Sequence, residues 1–191
     1  MKQSTVLVGT RKEGPKGRAY DRARELMARA GMEMVDVIPI AELDRVRQWV
    51  HRPKDVRPLI VAAGGDGTIG SVANYLVGTD AVLGILPLGT SNDVARSLEI
   101  PLDIPQAVRL LVAGKVATID VGEFVAEGQE RRTFVHAAAI GLNVRFARMA
   151  TQKSMRARFG PFTYVVAALL AIRHFDPFTI ELEHEGGREQ F

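Results

Sequence analysis

Cysteine is absent from the 191 residues, which removes disulfides, thiolate nucleophiles, iron–sulfur clusters and cysteine-based zinc sites together. A dominant charge is missing too. The 25 Lys and Arg stand against 22 Asp and Glu, a formal net charge of +3, too small an excess to mark a nucleic-acid binder, though compatible with an anionic partner. No apolar run approaches the about 20 residues a membrane-spanning helix needs; the longest covers residues 164–172. The apolar stretch at 5–9 is shorter than a signal-peptide core. The four histidines, His51, His136, His174 and His184, lack metal-ligand spacing. No G-x-x-x-x-G-K-[ST] occurs and no G-x-G-x-x-G follows the first strand, which disfavours a P-loop and an ordinary nucleotide-binding oxidoreductase. No internal repeat or low-complexity segment is present.

What remains is ordinary globular composition, 47% hydrophobic and 25% charged, in a length suited to one domain or one plus part of another. The first half alternates strand-like and helix-like segments. Residues 5–8, 32–38, 58–63 and 82–86 read as strands, the last two as the continuous apolar runs of a parallel sheet buried on both faces. Residues 19–30, 43–51, 69–77, 92–98 and 105–113 read as helices. This order predicts an α/β fold with an open, mostly parallel N-terminal sheet and flanking helices. After residue 115 the style changes. Residues 116–124 and 133–140 alternate about a polar turn and predict an antiparallel hairpin, the start of a β-rich second domain. Helical stretches at 143–158 and 162–173 follow, then an alternating strand with Phe178, Ile180 and Leu182 and a turn at Gly186 and Gly187. The expected division is therefore 1–115 and 116–191, the second part an incomplete β-rich unit, because a strand without its partner is an aggregation liability.

The chemistry concentrates in two turns. Gly64, Gly65, Asp66, Gly67 and Thr68 lie directly after a buried strand and before a helix, where glycines let a phosphate approach backbone N–H groups and the helix N-terminus favours an anion. The other reading is a tight strand–helix connection with Asp66 as the cap. One unit later Gly89, Thr90, Ser91, Asn92 and Asp93 repeat the design, with Ser91 or Asn92 also eligible as helix cap. Two adjacent strands ending in such turns at the carboxyl edge form a ligand crevice.

GGDGTI followed at this spacing by ILPLGTSNDVARSL resembles the bacterial diacylglycerol kinase and lipid kinase family, relatives of sphingosine and ceramide kinases and, more distantly, of NAD kinases. The likeness continues through PLD (101–103), IDVG (119–122), AAIGL (138–142) and FGPFTY (159–164). It implies a nucleotide-binding α/β domain, a C-terminal β-sandwich, ATP and Mg2+ as cosubstrate and ion, and a lipid alcohol as acceptor. By that resemblance Gly64, Gly65, Gly67, Thr68, Gly89, Thr90 and Asn92 hold the nucleotide, and Asp66 is the catalytic residue facing the acceptor hydroxyl or the metal. A carboxylate of ordinary pKa, about 3.9, is a weak base toward an alcohol. In a loose phosphoryl-transfer transition state its placement matters more than its basicity. Asp66, Asp93 and Asp120 are the acids to consider for magnesium, with no metal ligand singled out. Asp120 fits a structural role better.

The chain departs from the family pattern in three places. Gly9-Thr10 stands where the family has Asn-Pro, Gly70-Ser71 where it has Asn-Glu, and Ile38 or Pro39 where it has Thr. Its late Asp-Gly-Glu motif is expected beyond Phe191, so the chain is expected to be a fragment, inactive alone. The competing readings are a nucleotide-binding regulatory pseudokinase and an NAD kinase. The expected partners are a nucleotide, a lipid alcohol, an anionic membrane surface met by Arg145, Arg148, Lys153, Arg156 and Arg158, and a second copy in a homodimer, with no nucleic acid. The expected location is the cytoplasm, at the inner membrane face. The basic stretch also fits a solvated helix face, and Trp49 fits core packing.

Overall fold

The computed structural model describes residues 4–51, 57–124, 131–137, 141–173, 179, 181–184 and 187–190. Four parallel strands, β1 (Thr5–Val8), β2 (Met34–Ile38), β3 (Leu59–Gly64) and β4 (Val82–Pro87), form one sheet in the order β2-β1-β3-β4. Their registers align Thr5 with Leu59 and Leu59 with Val82. The parallel β-run pattern explains the burial. Val6, Val8, Ile60, Ala62 and Ile85 point to one face, packed with Val46, Trp49, Ile69, Val72 and Val94. Leu7, Leu59, Val61, Ala63 and Leu86 point to the other, against Tyr20, Ala23, Met27, Ala107 and Val108. Each Val, Leu, Ile or Met side chain so buried contributes about 1.5–3 kcal/mol.

The helices that supply these contacts are α1 (Pro15–Arg29) and α5 (Ile104–Ala113) on one face. On the other lie α2 (Arg47–Val50), α3 (Asp66–Leu76) and α4 (Asp93–Ser97). Their boundaries have local causes. Gly14 at φ 69° precedes Pro15, whose fixed φ and missing N–H suit a first helical position. Asp103 caps α5 by accepting the Gln106 N–H at 3.1 Å, and Gly114 closes it in the left-handed region.

The helix expected over residues 43–51 is instead a 3-10 helix, Ile40–Val46, kinked at Glu42, followed by the single α-turn α2. Asp36 accounts for it. Its carboxylate on β2 accepts bonds from Arg45 at 2.8 Å and from Trp49 Nε1 at 3.1 Å, and this long-range grip sets the local winding.

Beyond residue 115 the described β structure is two short antiparallel hairpins. β5 (Gly122–Phe124) pairs with β6 (Arg132–Phe134), and β7 (Glu181–His184) with β8 (Gly187–Gln190). The strand expected over 116–124 is thus reduced to its last three residues. Ala117, Ile119 and Val121 have the expected alternation, but Ala117 and Ile119 are exposed, with no sheet against them among the described residues. Of the strand expected over 133–140, Thr133 and Phe134 are paired; residues 138–140, the 126–130 part of the expected turn, and Phe178, Ile180 and Gly186 lie outside the described residues.

The β5–β6 hairpin packs on α3 through Asn74, whose amide imitates a strand. Asn74 Nδ2 donates to the Thr133 carbonyl at 3.0 Å, while Asn74 Oδ1 accepts the Thr133 N–H at 2.8 Å. The first compact unit accordingly runs over Met1–Ala137, and a second over Ala138–Phe191. In the second, the basic stretch expected as one helix is two, α6 (Leu142–Thr151) and α7 (Lys153–Phe159), broken at Gln152, which is extended at φ −64°, ψ 130°. A 3-10 turn at Gly160–Phe162 leads into α8 (Thr163–Arg173). Ala150, Thr163, Ala167 and Ala171 are buried there, and Thr163 Oγ1 donates to the Gly160 carbonyl at 2.6 Å. Among the described residues no helix is long and apolar enough to cross a membrane.

Candidate active site

With the order β2-β1-β3-β4, the chain leaves β1 toward one side of the sheet and β3 toward the other. Such a reversal opens a crevice beyond the carboxyl ends of the central strands. The two glycine turns meet there. β3 ends at Gly64, Gly65 turns the chain, and α3 begins at Asp66. Leu88 N–H donates to the Gly64 carbonyl at 2.9 Å, carrying β3–β4 pairing past the strand end and drawing Gly89 over Gly65. A Cβ on Gly65 would stand 3.0 Å from Gly89 Cα, and one on Gly89 would collide with Gly65 Cα and Asn92 Oδ1. Only two bare α-carbons can cross this closely. Gly64 similarly leaves room for the Thr68 side chain, which a Cβ would strike.

Asp66 is N-terminal in α3, yet it caps a different helix. Its Oδ1 accepts the N–H of Val94 at 2.9 Å, in the first turn of α4. Burial acts to raise the Asp66 carboxyl. The N–H groups of Val94, Asp93 and Asp66 itself, with a smaller effect of nearby His136, outweigh it and hold the carboxyl below the ordinary carboxylate value. His136 Nδ1 in turn pairs with Ser97 Oγ at 3.3 Å. Asn92 is 6% exposed and left-handed, at φ 52°. Its Oδ1 accepts the Gly89 N–H at 2.8 Å, and its Nδ2 donates to the Gly89 carbonyl at 3.3 Å. The side chain folds the second turn from within. Asp93 and Asp120 are both exposed.

Beside the crossing lies a cleft of about 350 Å³. Gly64, Gly65, Gly67, Thr68, Gly89 and Thr90 line it; Asp66 and Asn92 do not. The opposite wall comes from residues the motif reading did not select: Thr10, Lys12, Lys16 and Tyr20. Thr10 Oγ1 accepts the Ile40 N–H at 3.2 Å, and Lys16 Nζ donates to Thr90 Oγ1 at 3.0 Å. The available signal was Gly14-Pro15. It starts α1 at residue 15 rather than 19 and so places Lys16 in the first turn, at the cleft.

The cleft lining contains two cations and no carboxylate, and the N-terminus of α3 adds the partial positive charge of its helix dipole. The arrangement suits an anion with several oxygens. It does not suit a bare divalent cation, which wants carboxylate oxygens. Among the described residues no group of three or more acidic or histidine side chains could hold a metal ion. These residues therefore do not make a magnesium site on their own.

A parallel α/β sheet whose two glycine turns cross at its carboxyl edge, beside a cleft lined by two lysines and no carboxylate, defines an open α/β domain with a candidate ligand crevice at the switch point. Comparison with known proteins narrows the class. A family model described as the diacylglycerol kinase catalytic domain matches residues 6–124; the chain belongs to that family. Among curated proteins, a "Probable lipid kinase YegS-like" of Klebsiella pneumoniae (strain 342) is 35% identical over 128 residues, 66% of this chain and 41% of that protein. One of the same description from Serratia proteamaculans (strain 568) is 40% identical over 115 residues, 58% of this chain and 36% of that protein. The chain thus spans about two fifths of the length of these relatives. A crystal structure of a diacylglycerol kinase from Bacillus anthracis str. Sterne shares the fold over 100% of this chain and 61% of its own, with TM-score 0.63 and 21% identity.

Proposed function

We propose that the protein is a lipid kinase that holds ATP in the cleft between its glycine turns and transfers the γ-phosphoryl group to the hydroxyl of a diacylglycerol-like lipid. In this reading residues 1–115 are the nucleotide-binding domain and 116–191 open the β-rich domain that follows it. The observation that carries the proposal is the cleft itself: two crossing turns, Thr68 and Thr90 hydroxyls and two lysines, without an acid, in a chain of this family. Phosphoryl transfer asks the protein mainly for placement and charge. Asp66 serves by placement: its carboxylate binds α4 to the glycine-rich turn, and a carboxylate held below its ordinary pKa is a still weaker base. Magnesium would arrive on the ATP phosphates. The acceptor would be met at an anionic membrane surface, for which the exposed Arg145, Arg148 and Arg158 are the contacts proposed. Because the described residues put no carboxylate in the cleft, residues 1–191 alone are expected to bind nucleotide without turning lipid over.

A second reading, a nucleotide-binding protein without catalysis, draws on the same missing carboxylate and on Gly9-Thr10 and Gly70-Ser71. The deciding experiment supplies ATP and Mg2+ with dioleoylglycerol in mixed anionic vesicles, and in parallel with NAD, to the full-length protein and its Asp66→Asn variant. Phosphatidic acid formation that falls at least tenfold in the variant supports the lipid kinase. ATP binding with neither acceptor phosphorylated supports the second reading, and phosphorylated NAD overturns both.

A further inference from the structure

Two lysines of the cleft stand without acidic partners. Lys12 and Lys16 line it, no acidic side chain shares the lining, and among the described residues neither lysine forms an ion pair. Elsewhere in the α/β unit exposed arginines find acids close by: Arg11 with Asp21 at 2.8 Å, Arg29 with Glu25 at 2.6 Å, Arg45 with Asp36 at 2.8 Å. Lys16 instead donates to a neutral hydroxyl, Thr90 Oγ1, at 3.0 Å. That bond reaches from the first turn of α1, which follows β1, to the turn after β4, and so spans the cleft from wall to wall. An ammonium has three donors and Thr90 occupies one.

We infer that Lys16, assisted by Lys12, is the anchor for the terminal phosphates of the nucleoside triphosphate, with Thr90 Oγ1 holding its ammonium over the cleft until an anionic oxygen replaces the hydroxyl. The inference rests on the reading of the cleft as an ATP site and adds what selects the ligand: the number of phosphates. The glycine turns offer N–H groups to any phosphate. Only a chain of phosphates long enough to cross from the α3 N-terminus to the opposite wall reaches both lysines.

The test is isothermal titration of the 191-residue protein with ATP, AMP and inorganic tripolyphosphate in EDTA, at 50 and 200 mM salt. The variants are Lys16→Met, Lys16→Arg, Lys12→Met and Thr90→Val, each checked for an unchanged thermal transition. Lys16→Met is expected to weaken ATP and tripolyphosphate about tenfold or more, the scale of one charge-assisted hydrogen bond. AMP should change less than about threefold, and the dependence on salt should flatten as one cation is removed. Lys16→Arg restores most of the affinity, and Lys12→Met and Thr90→Val each lose less than Lys16→Met. Equal ATP affinity in Lys16→Met overturns the inference. So does a parallel loss for ATP and AMP, or a loss in Thr90→Val matching that of Lys16→Met, since either marks Lys16 as a latch for the turn. Wild-type binding of tripolyphosphate without ATP upholds the anchor and removes the nucleotide reading; binding of neither removes both.

Discussion

Replacing Gly89 by alanine tests the central geometric claim, that the two glycine turns lie α-carbon against α-carbon. A Cβ at Gly89 would fall inside contact distance of both Gly65 Cα and Asn92 Oδ1, so one turn must withdraw. Overpacking of this kind costs about 1–3 kcal/mol. Withdrawal also loosens the 2.8 Å bond from Gly89 N–H to Asn92 Oδ1, a loss of about 0.5–1.5 kcal/mol. Together they predict about 2–4 kcal/mol of destabilisation, which for a chain of this length lowers the melting temperature by roughly 5–15 °C. Urea unfolding followed by tryptophan fluorescence reads it, because Trp49, the single tryptophan, is 8% exposed in the core with its Nε1 bonded to Asp36. Gly70→Ala is the control of opposite sign. Gly70 is inside α3, a Cβ there meets nothing within 4 Å, and the substitution should stabilise by about 0.5–1 kcal/mol. The ATP affinity of Gly89→Ala should fall with its stability, since the displaced turn carries Thr90. A Gly89→Ala protein that unfolds with the wild type and binds ATP equally well would refute the crossing.

Two further outcomes follow from the same contacts. The Asp66 carboxyl lies lower in the folded chain than its ordinary value of 3.8, so its stabilising effect is complete above about pH 4–5 and is lost as pH falls through the folded-state value; wild type should exceed Asp66→Ala by about 1 kcal/mol at pH 6, and the gap between their urea midpoints should narrow as pH falls to 3. Asn74→Ala removes every side-chain bond between α3 and Thr133; hydrogen exchange at residues 132–134 should accelerate at least tenfold while β1, β3 and β4 keep their protection.

How far the sequence is readable depends on how local each determinant is. The strands at 5–8, 58–63 and 82–86 are legible because apolar runs buried on both faces have few alternatives, and the structure places them within a residue or so of those limits. The glycine turns are legible for the same reason, since strand, glycine cluster and helix are contiguous. The segment after β2 is not. Arg45 and Trp49 answer to Asp36 across the chain, and that pairing replaces the expected helix with a kinked 3-10 segment. The opposite wall of the cleft was hidden because Lys12 and Lys16 gain meaning only once β1 is known to sit beside β3. Asp66 illustrates the limit of motif reading. Its position is visible, but capping α4 in place of α3 depends on the neighbouring strand. The expected strand at 116–124 shows the converse: Ala117, Ile119 and Val121 alternate, yet Ala117 and Ile119 lie exposed.

The stitch between Asp66 and Val94, laid over the Gly65–Gly89 crossing, has a consequence for engineering. Neither turn is a portable module. Grafted alone into another scaffold, residues 64–68 would leave the Asp66 carboxylate without the Val94 and Asp93 amides it receives here, and residues 87–94 would lose the acid that starts their helix. The smallest transplantable piece is both turns together with the two hydrogen-bonded strands that set their spacing at about 4.8 Å, and any recombination breakpoint falling between them separates halves that have no independent shape.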